Sequence, residues 1–417
     1  MALAPIPDRM KALVLRGQGF ENLAIEEVAV PRPGPGQVLV RVDAAGICAS
    51  LIKTIAQGAE HTYFHGWDIA RFPVILGDEG AVTLVAGGAG MEHLAPGTRY
   101  VVQPAVDAAP VNHLERYRDA GRDVRKVACG YTLPGHLAEY MLVPEEVFAA
   151  ECLVPIPDRS MPHAHAAIAE PISCCVSGQF HHMHLVQDGP MSPRRAEPGL
   201  KRGGVAVVVG LGAMGRMHLE VAIAQGPGTV IASDPIEARR ARAEALFGER
   251  ATRAGCRLVC IAPDDLAAAV AAASGGRGAD DLVIAVGHPA VIAGAVPLLG
   301  RGGVANLFAG LRKGDELVGF DANRIHYDET VVTGSSGGTA WDIAQTLEWM
   351  AAGSIDAGPH IAKIGDLDHA IEMIHDVREQ RLEGKAVLYP ARKVEHAFTV
   401  EGWSAEDEAA WLAGGPA

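Results

Sequence analysis

The run Gly210-Leu211-Gly212-Ala213-Met214-Gly215 follows directly on the apolar stretch VAVVV and opens a segment with helical periodicity. Asp234 closes the next apolar run, 24 residues after Gly210. In a strand, turn and helix setting, this Gly-x-Gly-x-x-Gly pattern reads as a dinucleotide site. The first glycine permits the tight turn and the second lets the backbone approach a pyrophosphate. The third lets the helix pack closely, with its N-terminus facing the negative charge. Asp234 is placed to accept hydrogen bonds from the adenosine ribose and to repel a 2′-phosphate, which favours NAD over NADP. Arg239 and Arg240 follow on the next helix and read as a solvated face. The segments Phe308-Ala-Gly310 and Ser335-Ser336-Gly337 come after later apolar runs, where a bound cofactor lies outside the carboxyl ends of strands. Phe308, Ser335 and Ser336 are therefore expected beside a nicotinamide ring.

The chain that must position these residues has 417 of them, more than one hydrophobic core usually organises, so two domains are expected. Apolar residues make up 49% and charged residues 21%, and the 49 glycines follow no three-residue period, which excludes collagen-like, coiled-coil and grossly disordered chains. The 50 acidic residues outnumber 36 basic ones, so the net charge of -14 gives no attraction for phosphate backbones or anionic lipid. Neither nucleic acid nor a membrane is an expected partner. The opening MALAPIPDRMKALVLRG lacks the apolar stretch of a signal peptide, no segment approaches the roughly 20 apolar residues of a membrane span, and a cytoplasmic location is expected. Seven cysteines with no Cys-x-x-Cys pair fit a reducing compartment.

From Lys11 to Val154 the short runs KALVL, QVLVRV, AVTLV, RYVVQ and LAEYMLV, split by Pro and Gly, predict an all-β barrel or sandwich. From Gly204 the runs VAVVVG, TVIASD, RLVCIA, DLVIAV, GVANLF and TVVTGS alternate with helical segments, which predicts a doubly wound parallel sheet. Gln187 to Arg202, polar with three prolines, reads as an exposed excursion. A helix at WDIAQTLEWMAAG and one last strand, KAVLYP, are expected to return to the first domain. The predicted boundaries are 1–170, 171–338 and 339–417, the last including a polar, partly acidic tail.

With a β-rich domain ahead of a nucleotide domain, three further segments become informative: Gly46-Ile-Cys48-Ala-Ser50, Gly77-Asp78-Glu79 and Ala169-Glu170-Pro171. With them the chain resembles the medium-chain dehydrogenase/reductase superfamily, specifically its zinc-dependent polyol dehydrogenases, from Lys11 to about Arg392. GICAS, QGAEH, Gln103-Pro104, AEPISC, Asn323-Arg-Ile-His326-Tyr327 and Gly334-Ser-Ser-Gly-Gly338 resemble its sorbose-1-phosphate reductase-like branch. The resemblance implies a GroES-like β-rich catalytic domain, a Rossmann NAD-binding domain and a homodimer or homotetramer.

It also implies one catalytic zinc held by Cys48, Asp78, Glu79 and Glu170. Asp78 departs from the family, which has histidine there, so the set is richer in anionic oxygen. Taken singly, Cys48 could be a small buried hydrophobe and the glutamates surface or ion-pair residues; their joint match to three motifs argues otherwise. Ser50 stands where the family places a proton-passing hydroxyl, or caps a helix start, and Lys53 where several members end that relay with histidine. A structural zinc is not expected, because Ala105 to Cys129 holds one cysteine where relatives have four. Cys174 and Cys175 read as helix core, while His181, His182 and His184 have no partner motif. His61, His65, Trp67, Arg71, Arg324 and His326 lie in segments that the resemblance places around the substrate cleft.

These implications converge on hydride transfer between nicotinamide and a secondary alcohol of a polyol, cyclitol or sugar phosphate, with a Lewis-acid metal stabilising the alkoxide. Three alternatives stand beside it. A metal-free enone or quinone reductase would lack the Cys48, Glu79 and Glu170 set. An enzyme with tightly held NAD could oxidise its substrate transiently to allow elimination or epimerisation. A nucleotide-binding structural protein would tolerate changes at these residues.

Overall fold

Sequence-distant strands build the sheet that carries the candidate site. The computed structural model describes residues 5–107, 111–118, 124–312 and 314–414. The chain divides into two units, Met1–Pro171 with Thr339–Ala417, and Ile172–Gly338.

In the first unit an eight-stranded sheet runs in the order Leu153–Pro155, Arg99–Val102, Glu79–Gly87, Val38–Ile47, Lys385–Leu388, Ile361–Gly365 and Phe398–Thr399, with Tyr140–Val143 also paired to Val38–Ile47. Valines 38, 40 and 42 send alternate side chains into one core with Leu13, Leu15, Phe64, Leu76, Leu84 and Leu388. The central strand Val38–Ile47 is flanked by Glu79–Gly87, with Gly46 opposite Glu79, and by Lys385–Leu388, with Ile47 opposite Ala386. Chain segments from both ends of the sequence therefore meet at one edge of three adjacent strands. The C-terminal return supplies more than the one strand expected: Ile361–Gly365 and Phe398–Thr399 pair beside KAVL. The periodicity of IAKIG is too short to separate it from a buried helical turn.

The polar tail is structural. Glu408, in the helix Ala405–Leu412, is buried and accepts the backbone N–H groups of His163 and Ala164 at 2.6 and 2.8 Å and the Tyr389 hydroxyl at 2.6 Å. Trp403 and Trp411 are buried with it.

The second unit is a six-stranded parallel sheet in the order Arg257–Ile261, Thr229–Ser233, Val205–Val209, Ala279–Ile284, Leu299–Leu307 and Val331–Gly334. VAVVV is apolar throughout because both faces are covered. Ala206 and Val208 pack with Leu219, Ala222 and Phe247 on one face, and Val205, Val207 and Val209 with Leu266, Val270 and Ile292 on the other. The excursion at 187–202 is not all loop: Met183–Val186 and Arg195–Pro198 form an antiparallel hairpin. Its strands MHLV and RAEP are four residues each and bury none fully, too short to give an alternating apolar signal by which to foresee it. Among the described residues no helix is long and apolar enough to cross a membrane.

Candidate active site

Cys48 follows the end of the central strand, and Asp78 and Glu79 stand at the start of its neighbour. One ligand atom from each lies within 4.8 Å of the others. Glu79 is fully buried and its carboxylate folds across Gly46, where a Cβ would stand 2.0 Å from Oε2. Glycine at 46 is what makes room for it. Glu79 Oε1 accepts the Lys385 ammonium at 2.5 Å. Asp78 Oδ2 accepts the Ser50 hydroxyl at 2.6 Å, and the Ser50 backbone N–H points at Cys48 Sγ, 3.5 Å away. Ser50 opens the helix Ser50–Gln57.

The electrostatics follow from crowding three acidic groups around one cation. Burial and Asp78 push the Cys48 thiol well above its ordinary range, with Glu79 and Glu170 adding to the effect. Burial and Glu79 raise Asp78 to about 6, against the hydrogen bond from Ser50. Burial works against the charge on Lys385, and Glu79, Cys48 and Asp78 outweigh it, so the ammonium is held above its ordinary value. Two buried carboxylate oxygens, Asp78 Oδ1 and Glu79 Oε2, have no hydrogen-bond partner. Unmet buried acceptors cost roughly 1–3 kcal/mol each. With Cys48 as thiolate and Lys385 balancing one carboxylate, the cluster carries two net negative charges, the complement of a divalent cation. Sulfur with two carboxylates is a donor set that zinc accepts. The residues present fit the ion. Glu170, buried in the first turn of the helix Ala169–Phe180, is felt at Cys48 by its charge and stands outside the group of three.

Two residues at this site are absent from the sequence reading. Lys385 is separated from Glu79 by 306 positions and has no local motif. Tyr131, also buried, interacts through its hydroxyl with Thr54 and Ser50 and lies 5.2 Å from the His61 ring. Only its neighbourhood in the folded sheet marks it out. Lys53 is exposed on the Ser50–Gln57 helix, and its charge, after burial, lowers the His61 pKa.

In the second unit, Gly210 has φ +93° and Gly215 lies so close to the preceding turn that a Cβ would stand 1.8 Å from the Gly210 carbonyl oxygen. Nothing lies within 4 Å of a Cβ at Gly212, which leaves an open cradle before the helix Ala213–Gln225. Leu211, Ala213 and Met214 complete the loop and first turn. These features fit a pyrophosphate. Asp234 accepts backbone N–H groups from Leu211 and Ile236, each at 2.8 Å. Arg239 and Arg240 are not a plain solvated face. Arg239 lies 3.9 Å from the Asp234 carboxylate and Arg240 donates to the Asp234 and Pro235 carbonyls, because the first helical turn leans back over this end of the sheet. Phe308 packs edge-on against His218 at 4.2 Å, Ser335 donates to Asn306 at 3.4 Å, and Ser336 is exposed.

Several cleft candidates have other employment. Trp67 is core, donating to the Phe72 carbonyl. His65 meets the Lys126 carbonyl at 2.6 Å. Arg324 donates to the Pro297 and Leu299 carbonyls and to Asp328. Arg71 lies over the Phe72 ring, and His326 against Tyr327. In the stretch from Ala105 to Cys129, residues 108–110 and 119–123 lie outside the described residues.

A glycine-turn dinucleotide loop in one unit and a thiol-carboxylate cluster in a β-rich other unit define the class of nicotinamide-nucleotide dehydrogenases. Residues 34–158 match the alcohol dehydrogenase GroES-like domain and residues 213–352 match the zinc-binding dehydrogenase family. The chain is 28% identical to mannitol-1-phosphate 5-dehydrogenase of Aliivibrio fischeri, over 89% of this chain and 85% of the relative. It is 26% identical to L-sorbose 1-phosphate reductase of Klebsiella pneumoniae, over 87% and 84%. With erythritol/L-threitol dehydrogenase of Mycolicibacterium smegmatis the identity is 30%, over 70% and 74%. The protein belongs to the zinc-type medium-chain dehydrogenases, is polyol dehydrogenase-like, and is an oxidoreductase.

Proposed function

We propose that the protein is an NAD-dependent, zinc-assisted dehydrogenase that interconverts a secondary alcohol of a polyol, cyclitol or sugar phosphate with its ketone. The observation that carries this reading is the convergence of Cys48, Asp78 and Glu79 with two unpartnered buried carboxylate oxygens. The relatives' names support a polyhydroxylated substrate, phosphorylated in two cases and free in the third.

Cys48, Asp78 and Glu79 hold the ion, with Glu170 close by in charge. When bound, zinc supplies Lewis-acid polarisation of the substrate oxygen and nicotinamide supplies the hydride acceptor. Lys385 offsets the Glu79 charge from the side of Oε1 and leaves Oε2 without a hydrogen-bond partner. Ser50 accepts the substrate's hydroxyl proton as it releases its own, so that one proton stays on its oxygen throughout. The released proton passes through Tyr131 and half-buried His61 toward water, since Asp78 serves as a ligand. Lys53 tunes His61 and is not itself in the chain of donors. Asp234 holds the adenosine ribose of NAD, and Phe308, Ser335 and Ser336 flank the nicotinamide. The free sheet edge at Val331–Gly334 is the surface through which a homodimer or tetramer assembles.

The test is elemental analysis of the parent and of Cys48→Ser, purified without added metal or chelator, alongside NADH formation with a polyol and sugar-phosphate panel. The expected result is zinc in the parent, loss of the site's ion in the variant, and loss of NADH formation with it. A folded, NAD-binding parent that turns over substrates with no ion dependent on Cys48 overturns the zinc reading. A second reading, transient oxidation with NAD retained, draws support from the Ser50–Asp78 pair, a hydroxyl held by a carboxylate at 2.6 Å. Product isomerised or dehydrated without net NADH distinguishes it.

A further inference from the structure

Away from Cys48, the described residues hold one other group of three side chains able to ligate a metal: His182, His184 and Asp281. His182 follows the helix Ala169–Phe180, His184 lies in the hairpin strand Met183–Val186, and Asp281 lies in the parallel strand Ala279–Ile284. His182 Nδ1 and His184 Nε2 converge on the same oxygen, Asp281 Oδ1, at 2.7 and 2.8 Å. The other oxygen, Oδ2, accepts the Lys201 backbone N–H at 2.8 Å. The side chains of His182 and Asp281 are 0% and 1% exposed, while 12% of His184 reaches a cavity of ≈ 1020 Å³. Glu197, paired across the hairpin from His184, also lines that cavity.

A buried carboxylate is offset by hydrogen bonds, a positive charge or a metal, and two imidazoles converging on one of its oxygens are arranged to share the last of these. The hydrogen bonds of Asp281 come from two imidazoles and a backbone N–H, and the nearby Lys201 gives its ammonium to Asp280 at 2.6 Å. We propose that His182, His184 and Asp281 form a second metal site, separate from the one at Cys48, which takes a divalent transition ion such as zinc. Imidazole with carboxylate favours zinc, cobalt or nickel over calcium or magnesium. Ligands around a tetrahedral zinc at 2.0–2.1 Å stand about 3.3 Å apart. The ion therefore replaces the shared protons and opens the triangle by about half an ångström. The Lys201 N–H steadies the carboxylate from behind, as outer contacts of metal ligands do. The cavity beside His184 provides the entry path and room for a water in the fourth position.

The site's role is to staple the hairpin to the sheet. Met183–Val186 and Arg195–Pro198 bury no residue fully, so apolar packing does little to hold them. Two ligands from the chain entering the hairpin and one from the sheet tie the two together.

The test uses the full chain as parent, Cys48→Ser, His184→Gln and the double variant, each stripped by chelator and reloaded with Zn²⁺ or Co²⁺. Elemental analysis is expected to give two ions in the parent, one in each single variant and none in the double variant. The Co²⁺ kept by Cys48→Ser should show ligand-field bands without thiolate charge transfer, and that kept by His184→Gln should show both. Zn²⁺ should slow hydrogen exchange across residues 183–198 in Cys48→Ser at least tenfold, and not in the double variant. A parent that holds a single ion, lost in Cys48→Ser and retained in His184→Gln, overturns the proposal. A single ion lost only in His184→Gln upholds it and sinks the zinc reading at Cys48. A parent with no ion refutes both.

Discussion

Replacing Lys385 with methionine keeps the apolar stem and removes only the ammonium 2.5 Å from Glu79. The side chains are 7% and 0% exposed, so water cannot take over the vacated role. At an effective dielectric of about 20 the lost attraction is roughly 6–7 kcal/mol. Relaxation of the surroundings brings the net cost to about 3–5 kcal/mol, the range for breaking a buried pair from one side. All five tryptophans (67, 341, 349, 403 and 411) belong to the unit that contains the pair. Urea unfolding followed by tryptophan fluorescence therefore reports on that unit alone. Lys385→Met should lower its unfolding free energy by about 3–5 kcal/mol in chelator, and Glu79→Gln added to it should restore most of the loss by removing the stranded charge. Zn²⁺ should also restore stability, because a cation at the cluster offsets the same carboxylate. A loss under about 1 kcal/mol, or a double variant no more stable than Lys385→Met, would refute the view that this pair balances the site.

Asp78→His exchanges a carboxylate for the imidazole usual in the family and should tighten zinc about tenfold or more, read as slower loss to a chelator; faster loss would show that the carboxylate set is the one this site prefers. Asp234→Ser removes the carboxylate that would repel a 2′-phosphate, with Arg239 now 3.9 Å from it, and should move the NAD-to-NADP ratio of kcat/KM at least about tenfold toward NADP. An unchanged ratio counts against Asp234 as the discriminating residue. Burial lowers His136 from 6.5 to about 4, with the Gly77 carbonyl opposing. The unfolded chain then binds the extra proton between those values, so the stability this group contributes is intact above about pH 6.5 and falls by roughly 3 kcal/mol as pH drops through 4. Urea titrations at pH 7 and 4.5 on the parent and His136→Gln should show a smaller drop in the variant; equal drops would assign the acid sensitivity elsewhere.

The parallel sheet is legible in the sequence because each strand is buried on both faces and reads as a continuous apolar run between helices of clear period. The Gly210–Gly215 turn is legible because its demands are local: positive φ at one glycine and a clash-free approach at another. Cys48 and the Asp78-Glu79 pair are legible as motifs, since each sits at a strand end within a few residues of its glycine. Lys385 is not, because the strand register that sets it against Glu79 joins segments 306 residues apart. The same holds for Asp281, 99 residues from His182, which is why the histidines after Phe180 have no partner in a linear reading. Arg239 is less legible for another reason: its residue type suggests solvent, while the fold sets it 3.9 Å from the Asp234 carboxylate.

The strand that carries Lys385 inserts between Val38–Ile47 and Ile361–Gly365, so the site's balancing cation leaves the ribosome 306 residues after the carboxylate it balances. At about 5–20 residues per second, the 306 residues between Glu79 and Lys385 take on the order of 15–60 s to synthesise. Through that interval the central strand Val38–Ile47 has one edge unpaired at Ala45–Ile47, and Glu79 has no ammonium beside it. The parallel unit, encoded without interruption between the two halves, can meanwhile fold on its own schedule. Maturation of the catalytic half is thereby tied to synthesis of Lys385–Leu388, and a message truncated before that strand yields a nucleotide-binding unit attached to an unassembled active site.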